Sequence, residues 1–303
     1  MEKNNKIQNI LQGLASSDFR SLARAITVVE NELEGYETLL QKLQFSKDVP
    51  VIGVTGPPGA GKSCLVNALL KELSLQNLKV AVMAVDPTSP FNFGSLLGDR
   101  LRMSDYFNSP DIFIRSMATR GSLGGLSAKA IEVTDLLKAA GFDYIIVESV
   151  GVGQSEVEIA GLADTTIVVL VPESGDEIQT FKAGVMEIAD IFVINKADRE
   201  GADSMVANIK KMLDYRHGNN WLPPVLKTIA IRGEGVKEVF DQMKLHKKAK
   251  GNERKQLLLA EKAYHLIQKK RMNDIDKMVL QKEIMKEIEK GTFGLYKFIE
   301  RYY

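Results

Sequence analysis

Val51-Ile52-Gly53-Val54-Thr55-Gly56-Pro57-Pro58-Gly59-Ala60-Gly61-Lys62-Ser63 decides the fold. The first five residues are a short, apolar, β-branched run that reads as a strand. Gly56 to Ser63 then matches G-x-x-x-x-G-K-[ST]. Glycines at this spacing let backbone N–H groups turn inward and form an anion-binding nest. Leu65, Val66, Leu69 and Leu73 follow at helical spacing, so a helix starts near Gly61 and aims its positive end at the same anion. In such a loop Lys62 reaches the β- and γ-phosphates of a nucleotide, and the Ser63 hydroxyl binds Mg²⁺. Cys64 closes the nucleotide-binding run Gly56–Cys64; as a lone, small apolar side chain just inside the helix it reads as packed rather than reactive.

Similar apolar runs recur downstream: 80–85, 112–114, 144–147, 167–171, 191–194 and 225–226. They alternate with helix-period segments. Continuous apolar strands are covered on both faces, so the chain reads as α/β, a mainly parallel sheet with helices on either side. Ligands of such sheets sit beyond the carboxyl ends of the strands, and the chemistry-bearing residues fall at those ends.

The run 191–194 leads into Asn195-Lys196-Ala197-Asp198, an N-K-x-D sequence that selects guanine. The Asp198 carboxylate accepts from both the N1–H and the 2-amino group, and adenine offers neither, leaving that acceptor unpaired. Asn195 and Lys196 belong to the same nucleotide-binding group. Thr228 and Ala230, after the run 225–226, are placed to add backbone contacts to the base. Two acids also end strands: Asp86 in Asp86-Pro87-Thr88-Ser89, and Glu148 in Glu148-Ser149-Val150-Gly151-Val152-Gly153-Gln154. An acid in that place holds Mg²⁺ directly or through water; the competing reading of Asp86 is a turn residue before Pro87. Gly151 and Gly153 suit a loop that senses the γ-phosphate. Gln154 either orients the attacking water or is a polar loop residue. Arg120 is either an arginine finger in cis or a salt-bridge partner.

The flanks are helical. Phe19, Leu22, Ile26, Val29 and Leu33 form one stripe after a cap at Ser17 or Asp18, and Tyr36, Leu39, Leu40 and Leu43 form a second. Residues 236–303 read as two or three amphipathic helices whose apolar stripes need the core or another subunit to cover them. The divisions are 1–48, an N-terminal helical extension, 49–245, the nucleotide-binding domain, and 246–303, a C-terminal helical arm.

Composition bounds the rest. The chain has 303 residues, 40 Lys and Arg against 39 Asp and Glu, and a formal net charge of +1. That balance argues against nucleic acid as a partner. One cysteine fits a reducing compartment. Scattered histidines (His217, His246, His265) offer no metal-ligand spacing. No apolar run has membrane-spanning length, and the N-terminus lacks a secretory apolar core, so a cytoplasmic protein without membrane contact is expected.

The assembled motifs resemble the MeaB-type family, also called ArgK or methylmalonyl-CoA-mutase-associated, within the P-loop GTPases. The resemblance rests on 22–27 (Leu-Ala-Arg-Ala-Ile-Thr), Gly56–Ser63, 84–89, 98–103 (Gly-Asp-Arg-Leu-Arg-Met), 115–125 (Arg-Ser-Met-Ala-Thr-Arg-Gly-Ser-Leu-Gly-Gly), 147–156 and Asn195–Asp198, covering about residues 19–235. It implies a P-loop GTPase domain with helical N- and C-terminal extensions. It also implies slow, Mg²⁺-dependent GTP hydrolysis to GDP and phosphate, for which Lys62, Glu148 and Gln154 are the candidate catalytic residues. Ser63, Asp86, Asp99 and Glu148 would be the metal-linked set. The implied partner is an adenosylcobalamin-dependent acyl-CoA mutase, usually methylmalonyl-CoA mutase, whose cofactor loading is gated and which is protected from inactivation. A homodimer formed through the C-terminal helices is implied as well. Cys64 and Ser149 depart from the family by standing where threonine is usual. Two other readings share the phosphate loop. A nickel-insertion GTPase would need Cys or His ligands that the scattered histidines do not supply. A protein kinase of a periplasmic amino-acid-binding protein would need an acceptor site.

Overall fold

The computed structural model describes residues 2–86, 103–118, 129–149, 155–175, 185–214, 221–249, 253–272, 274–291 and 293–302. They divide into two compact units, residues 1–255 and 256–303.

The first unit is built on a seven-stranded sheet: β1 (Val51–Thr55), β2 (Val80–Asp86), β3 (Ile112–Ala118), β4 (Tyr144–Glu148), β5 (Thr165–Leu170), β6 (Ile191–Asn195) and β7 (Val225–Thr228). The order is β3-β2-β4-β1-β5-β6-β7, and every pairing is parallel. Each apolar run of the sequence is a strand because both faces are covered. Ile52 and Val54, with Ile167, Val169, Ile191 and Val193, face a core closed by α4 (Lys62–Ser74) and α9 (Val236–Ala249). The alternate residues Val168, Leu170, Phe192 and Ile194 meet α8 (Ala202–Leu213) on the other face. Period-two alternation between two apolar layers is what a continuous apolar strand encodes.

β2, β3 and β4 lie on one side of β1 and β5, β6 and β7 on the other, so β1 stands between the two halves of the sheet. Ligands of such sheets bind beyond the carboxyl ends of the strands at that place. On the face opposite α4, α6 (Ser155–Leu162) packs so closely on β1 that a Cβ at Gly53 would lie 2.9 Å from Ile159.

The N-terminal layer holds α1 (Glu2–Ala15), α2 (Phe19–Glu30) and α3 (Tyr36–Gln41). Asp18 is the N-cap of α2 and accepts from the Ser21 and Arg20 amides at 2.8 and 3.3 Å. Hydrogen bonds from Ser21, side chain and backbone, hold the Asp18 carboxyl below its ordinary range. Phe19 packs on Phe113 of β3 and on Phe142, with centroids 5.3 and 5.8 Å apart. α2 stops at Glu30, although its apolar period continues to Leu33. Glu32 adopts φ +47, and its N–H and that of Leu33 return to the carbonyls of Val29 and Val28. This Schellman closure turns Leu33 outward, 47% exposed.

α5 (Ala130–Ala139) lies against α2 and leads toward β4, and the short α7 (Val185–Ile188) precedes β6. At the amino end of β5, His246 of α9 bonds Thr165 at 2.8 Å and stacks edge-on against Trp221.

The second unit begins within α10 (Glu253–Arg271) and continues through α11 (Lys277–Glu289) and α12 (Leu295–Ile299). Among the described residues, 236–303 therefore carry four α-helices rather than two or three; α12 is too short to show a period. Phe298 is buried among Phe293 and Tyr302, and the Tyr302 hydroxyl donates to Glu283 at 2.7 Å. Leu257, Tyr264, Met278 and Met285 remain exposed. None of the described helices is long and apolar enough to cross a membrane.

Candidate functional site

The loop after β1 is shaped by its glycines. Gly56, Gly59 and Gly61 have φ of +140, +77 and +88. Gly61 caps α4 in the left-handed conformation, and Lys62 and Ser63 begin the helix, both buried. The Lys62 ammonium donates to the Gly56 and Pro57 carbonyls at 2.9 and 3.1 Å, which compensates its burial. Cys64 is half-buried and packs against the α4–α9 core.

The Gly56 site has no room for a side chain, because a Cβ would stand 2.0 Å from the carbonyl oxygen of Val169 in β5. At Gly59 a Cβ would meet nothing within 4 Å. Gly56→Ala should therefore destabilise the domain by about 2–5 kcal/mol, combining overpacking and backbone strain. Gly59→Ala should cost about 1 kcal/mol of strain alone. Thermal unfolding of the two variants measures the contrast, and equal melting shifts would refute it.

Beside the loop, the Ser63 hydroxyl donates to Glu148 Oε1 at 2.6 Å. Glu148 ends β4, is 4% exposed, and is level with Val54 of β1 and Ala84 of β2. β2 runs on to Asp86, two residues beyond that level. One further bond escaped the sequence reading: the hydroxyls of Thr55 and Ser149 meet at 2.8 Å, fully buried, and join the ends of β1 and β4. The only sequence signal for it is a hydroxyl residue at the close of each strand.

The N-K-x-D residues brace this loop. Asn195 donates through Nδ2 to the Ala60 carbonyl at 2.9 Å. Its Oδ1 accepts from Thr228 Oγ1 and from the Ala230 amide, both at 3.1 Å. Lys196, at φ +57, stretches its ammonium to the Gly59 carbonyl at 2.8 Å. The Ala197 amide donates to the Thr228 carbonyl at 3.0 Å. A Cβ at Gly61 would meet Asn195 Nδ2 at 2.3 Å, so Gly61 also permits the brace. Asp198 follows in the same segment and is exposed. Next to it, Arg199 pairs with Glu173, which follows β5, and holds that carboxyl below its ordinary range chiefly through this hydrogen bond.

The structure thus brings Gly56–Cys64, Glu148, Asn195, Lys196, Thr228 and Ala230 together beyond the carboxyl ends of β1, β4, β6 and β7. Asp99 and Gln154 lie outside the described residues, as do Arg120, Gly151 and Gly153. Asp86 is described only as the last residue of β2.

A family model described as methylmalonyl-CoA mutase-associated GTPase MeaB matches residues 22–284. A Pyrococcus horikoshii chain named as a GTPase is 48% identical over 247 residues, 80% of this chain and 78% of its own. The Escherichia coli GTPase ArgK is 39% identical over 241 residues, 76% of this chain and 72% of its own. The crystal structure of an LAO/AO transport system kinase superposes with a TM-score of 0.70 and 26% identity, over 98% of this chain and 96% of that one. The match spans the phosphate loop and the N-K-x-D motif, and the chain belongs to the MeaB family of methylmalonyl-CoA mutase-associated GTPases.

Proposed function

We propose that this GTPase is a Mg²⁺-dependent chaperone of an adenosylcobalamin-dependent acyl-CoA mutase, most simply methylmalonyl-CoA mutase, and that it gates cofactor loading and protects the mutase from inactivation. The observation that carries the reading is the family match across residues 22–284.

The site's chemistry supports the nucleotide half. Phosphoryl transfer to water needs positioning and neutralisation of charge more than covalent chemistry. The backbone amides of Gly59 and Gly61 and the start of α4 would receive the phosphates. Lys62 would move its ammonium from the loop carbonyls to the β- and γ-oxygens. Asp198 would read guanine through N1–H and the 2-amino group, with the bound base supplying the burial that the exposed carboxylate needs. Thr228 and Ala230 would hold the base loop in place.

The donor set suits magnesium. Ser63 Oγ and a Glu148 oxygen are hard donors already in contact, beside the phosphate loop. Ser63 and Glu148 would hold the ion with Asp86 and Asp99, and the ion would neutralise phosphate charge there. Gln154 is the candidate for orienting water.

The assembly half rests on the C-terminal helices. Leu257, Tyr264, Met278 and Met285 expose an apolar surface that a second copy would cover, which supports a homodimer through residues 246–303. The reading places the protein in the cytoplasm.

The test is GTP turnover with and without purified methylmalonyl-CoA mutase. Faster hydrolysis with the mutase is expected, and an unchanged rate together with no complex by gel filtration would overturn the reading. The likeness to the LAO/AO transport system kinase favours one second reading, phosphoryl transfer to a protein. γ-Labelled GTP separates the two: label released as phosphate supports hydrolysis, and label retained on an amino-acid-binding protein supports the kinase.

A further inference from the structure

The α2 stretch Leu22-Ala23-Arg24-Ala25-Ile26-Thr27 is only half used by the core. Leu22, Ala25 and Ile26 are buried. Ala23, Arg24 and Thr27 line a groove of about 600 Å³ between α1 and α2. Ile10, Val28 and Leu33 add apolar surface to it. The Schellman closure explains Leu33, since it brings the outward-turned leucine back beside Val28. The two hydroxyls in the lining are engaged within α2 and its cap. Thr27 Oγ1 donates to the Ala23 carbonyl at 2.9 Å, and Ser21 bonds Asp18. Polarity in the groove therefore comes from Asn9 and two cations, Lys6 on α1 and Arg24 on α2. Both cations are exposed, neither forms an ion pair with a described residue, and no carboxylate of a described residue lines the groove.

We propose that this groove docks an acidic amphipathic helix of a partner protein. A groove between two helices accepts the apolar ridge of a third, with anchors at i, i+3, i+4 and i+7. Ser21 to Val28 spans two turns, about 10 Å, which suits an i and i+4 pair with a further anchor on Leu33. Cations on both walls select glutamate or aspartate flanking those anchors and repel a basic helix. The charge argument also weighs against the chain's own C-terminal helices as occupant. The chain's own amphipathic helices α9 and α10 carry more Lys and Arg than Asp and Glu, and α11 carries equal numbers.

The test uses the full chain and a fluorescein-labelled peptide of about 18 residues, roughly five helical turns. Leucines at i, i+3, i+4 and i+7 are flanked by glutamates. A second peptide replaces every glutamate with lysine, and phosphatidylserine vesicles form the third arm. Saturable anisotropy change with the acidic peptide is expected, weakened about tenfold by Arg24→Glu and less by Arg24→Gln. Leu33→Ser should weaken it too. Arg20→Glu, an exposed change on α2 outside the groove, should leave it unchanged. GTP hydrolysis and circular dichroism should be as in the parent for Arg24→Glu and Arg24→Gln, which shows that the fold survives. Equal binding of the lysine peptide, binding that survives Arg24→Glu, binding to vesicles alone, or no saturation with the acidic peptide would each overturn the proposal.

Discussion

Asp198→Asn should exchange the preference of the enzyme from GTP to xanthosine triphosphate. In the proposed reading the carboxylate would accept two hydrogen bonds from guanine, N1–H to one oxygen and the 2-amino group to the other. In the variant the amide oxygen still accepts from N1–H, but the amide nitrogen presents a donor to the 2-amino group, and two donors face each other. Xanthine carries a 2-oxo group there, which the amide nitrogen satisfies. A hydrogen bond to a charged group contributes about 1.5–3 kcal/mol. Loss of the bond to the 2-amino group should weaken GTP about 10–10²-fold, with the lower end favoured because Asp198 is exposed. Xanthosine triphosphate should gain by a similar factor. Competition against labelled GTP in parent and variant measures both changes. The fold should not respond, since an exposed substitution shifts stability by about 0.5 kcal/mol or less. A variant that still prefers GTP would remove Asp198 from base recognition. A parent that binds ATP as tightly as GTP would remove the guanine assignment altogether.

The sheet was legible because burial on both faces leaves a mark that needs no neighbours. Ile52, Val54, Val168 and Phe192 sit on opposite faces, yet each must be apolar, so the strands appear as unbroken runs. The phosphate loop was legible for a different reason. Its glycines answer backbone demands, φ of +140 at Gly56 and +88 at Gly61, that few other residues meet. What the sequence hid depends on which elements become neighbours. Thr55 and Ser149 are far apart in the chain, and nothing local says that β4 is inserted beside β1. Asn195 is legible as part of N-K-x-D, but its contacts with Ala60, Thr228 and Ala230 follow from loop packing. The end of α2 was misread because Glu32 takes the left-handed position that glycine usually holds, so the apolar period runs on to Leu33 without a visible stop. α1 had a signal in Ile7, Ile10 and Leu14, at steps of three and four, which are all buried. Family resemblance added what no spacing contains, the identity of a client, and that remains for the turnover experiment.

Lys62→Ala should abolish productive nucleotide binding while the domain stays folded. The two effects separate because the ammonium has different partners in each. Within the chain it is held by the Gly56 and Pro57 carbonyls. Removing it leaves the buried Gly56 carbonyl short of a donor, while the Pro57 carbonyl keeps the Ala60 amide at 3.2 Å, at a cost of about 1–3 kcal/mol. A domain of ordinary stability, about 5–15 kcal/mol, absorbs that loss. The melting point should fall by about 10 °C or less. On a bound nucleotide the same ammonium would face the β- and γ-phosphates, where charge grows as the γ-phosphoryl group departs. No other residue of Gly56–Cys64 carries a positive charge, so nothing in the loop replaces it. A preorganised donor at developing charge is worth about 10²–10³ in rate, and the lost ground-state contact weakens GTP about tenfold or more. Single-turnover hydrolysis at saturating GTP reads the first effect, and equilibrium binding reads the second. Hydrolysis at the parent rate in a folded Lys62→Ala protein would refute the active-site assignment. Loss of hydrolysis accompanied by loss of the folded state would instead show that the two carbonyls, and not the phosphates, are what Lys62 chiefly serves.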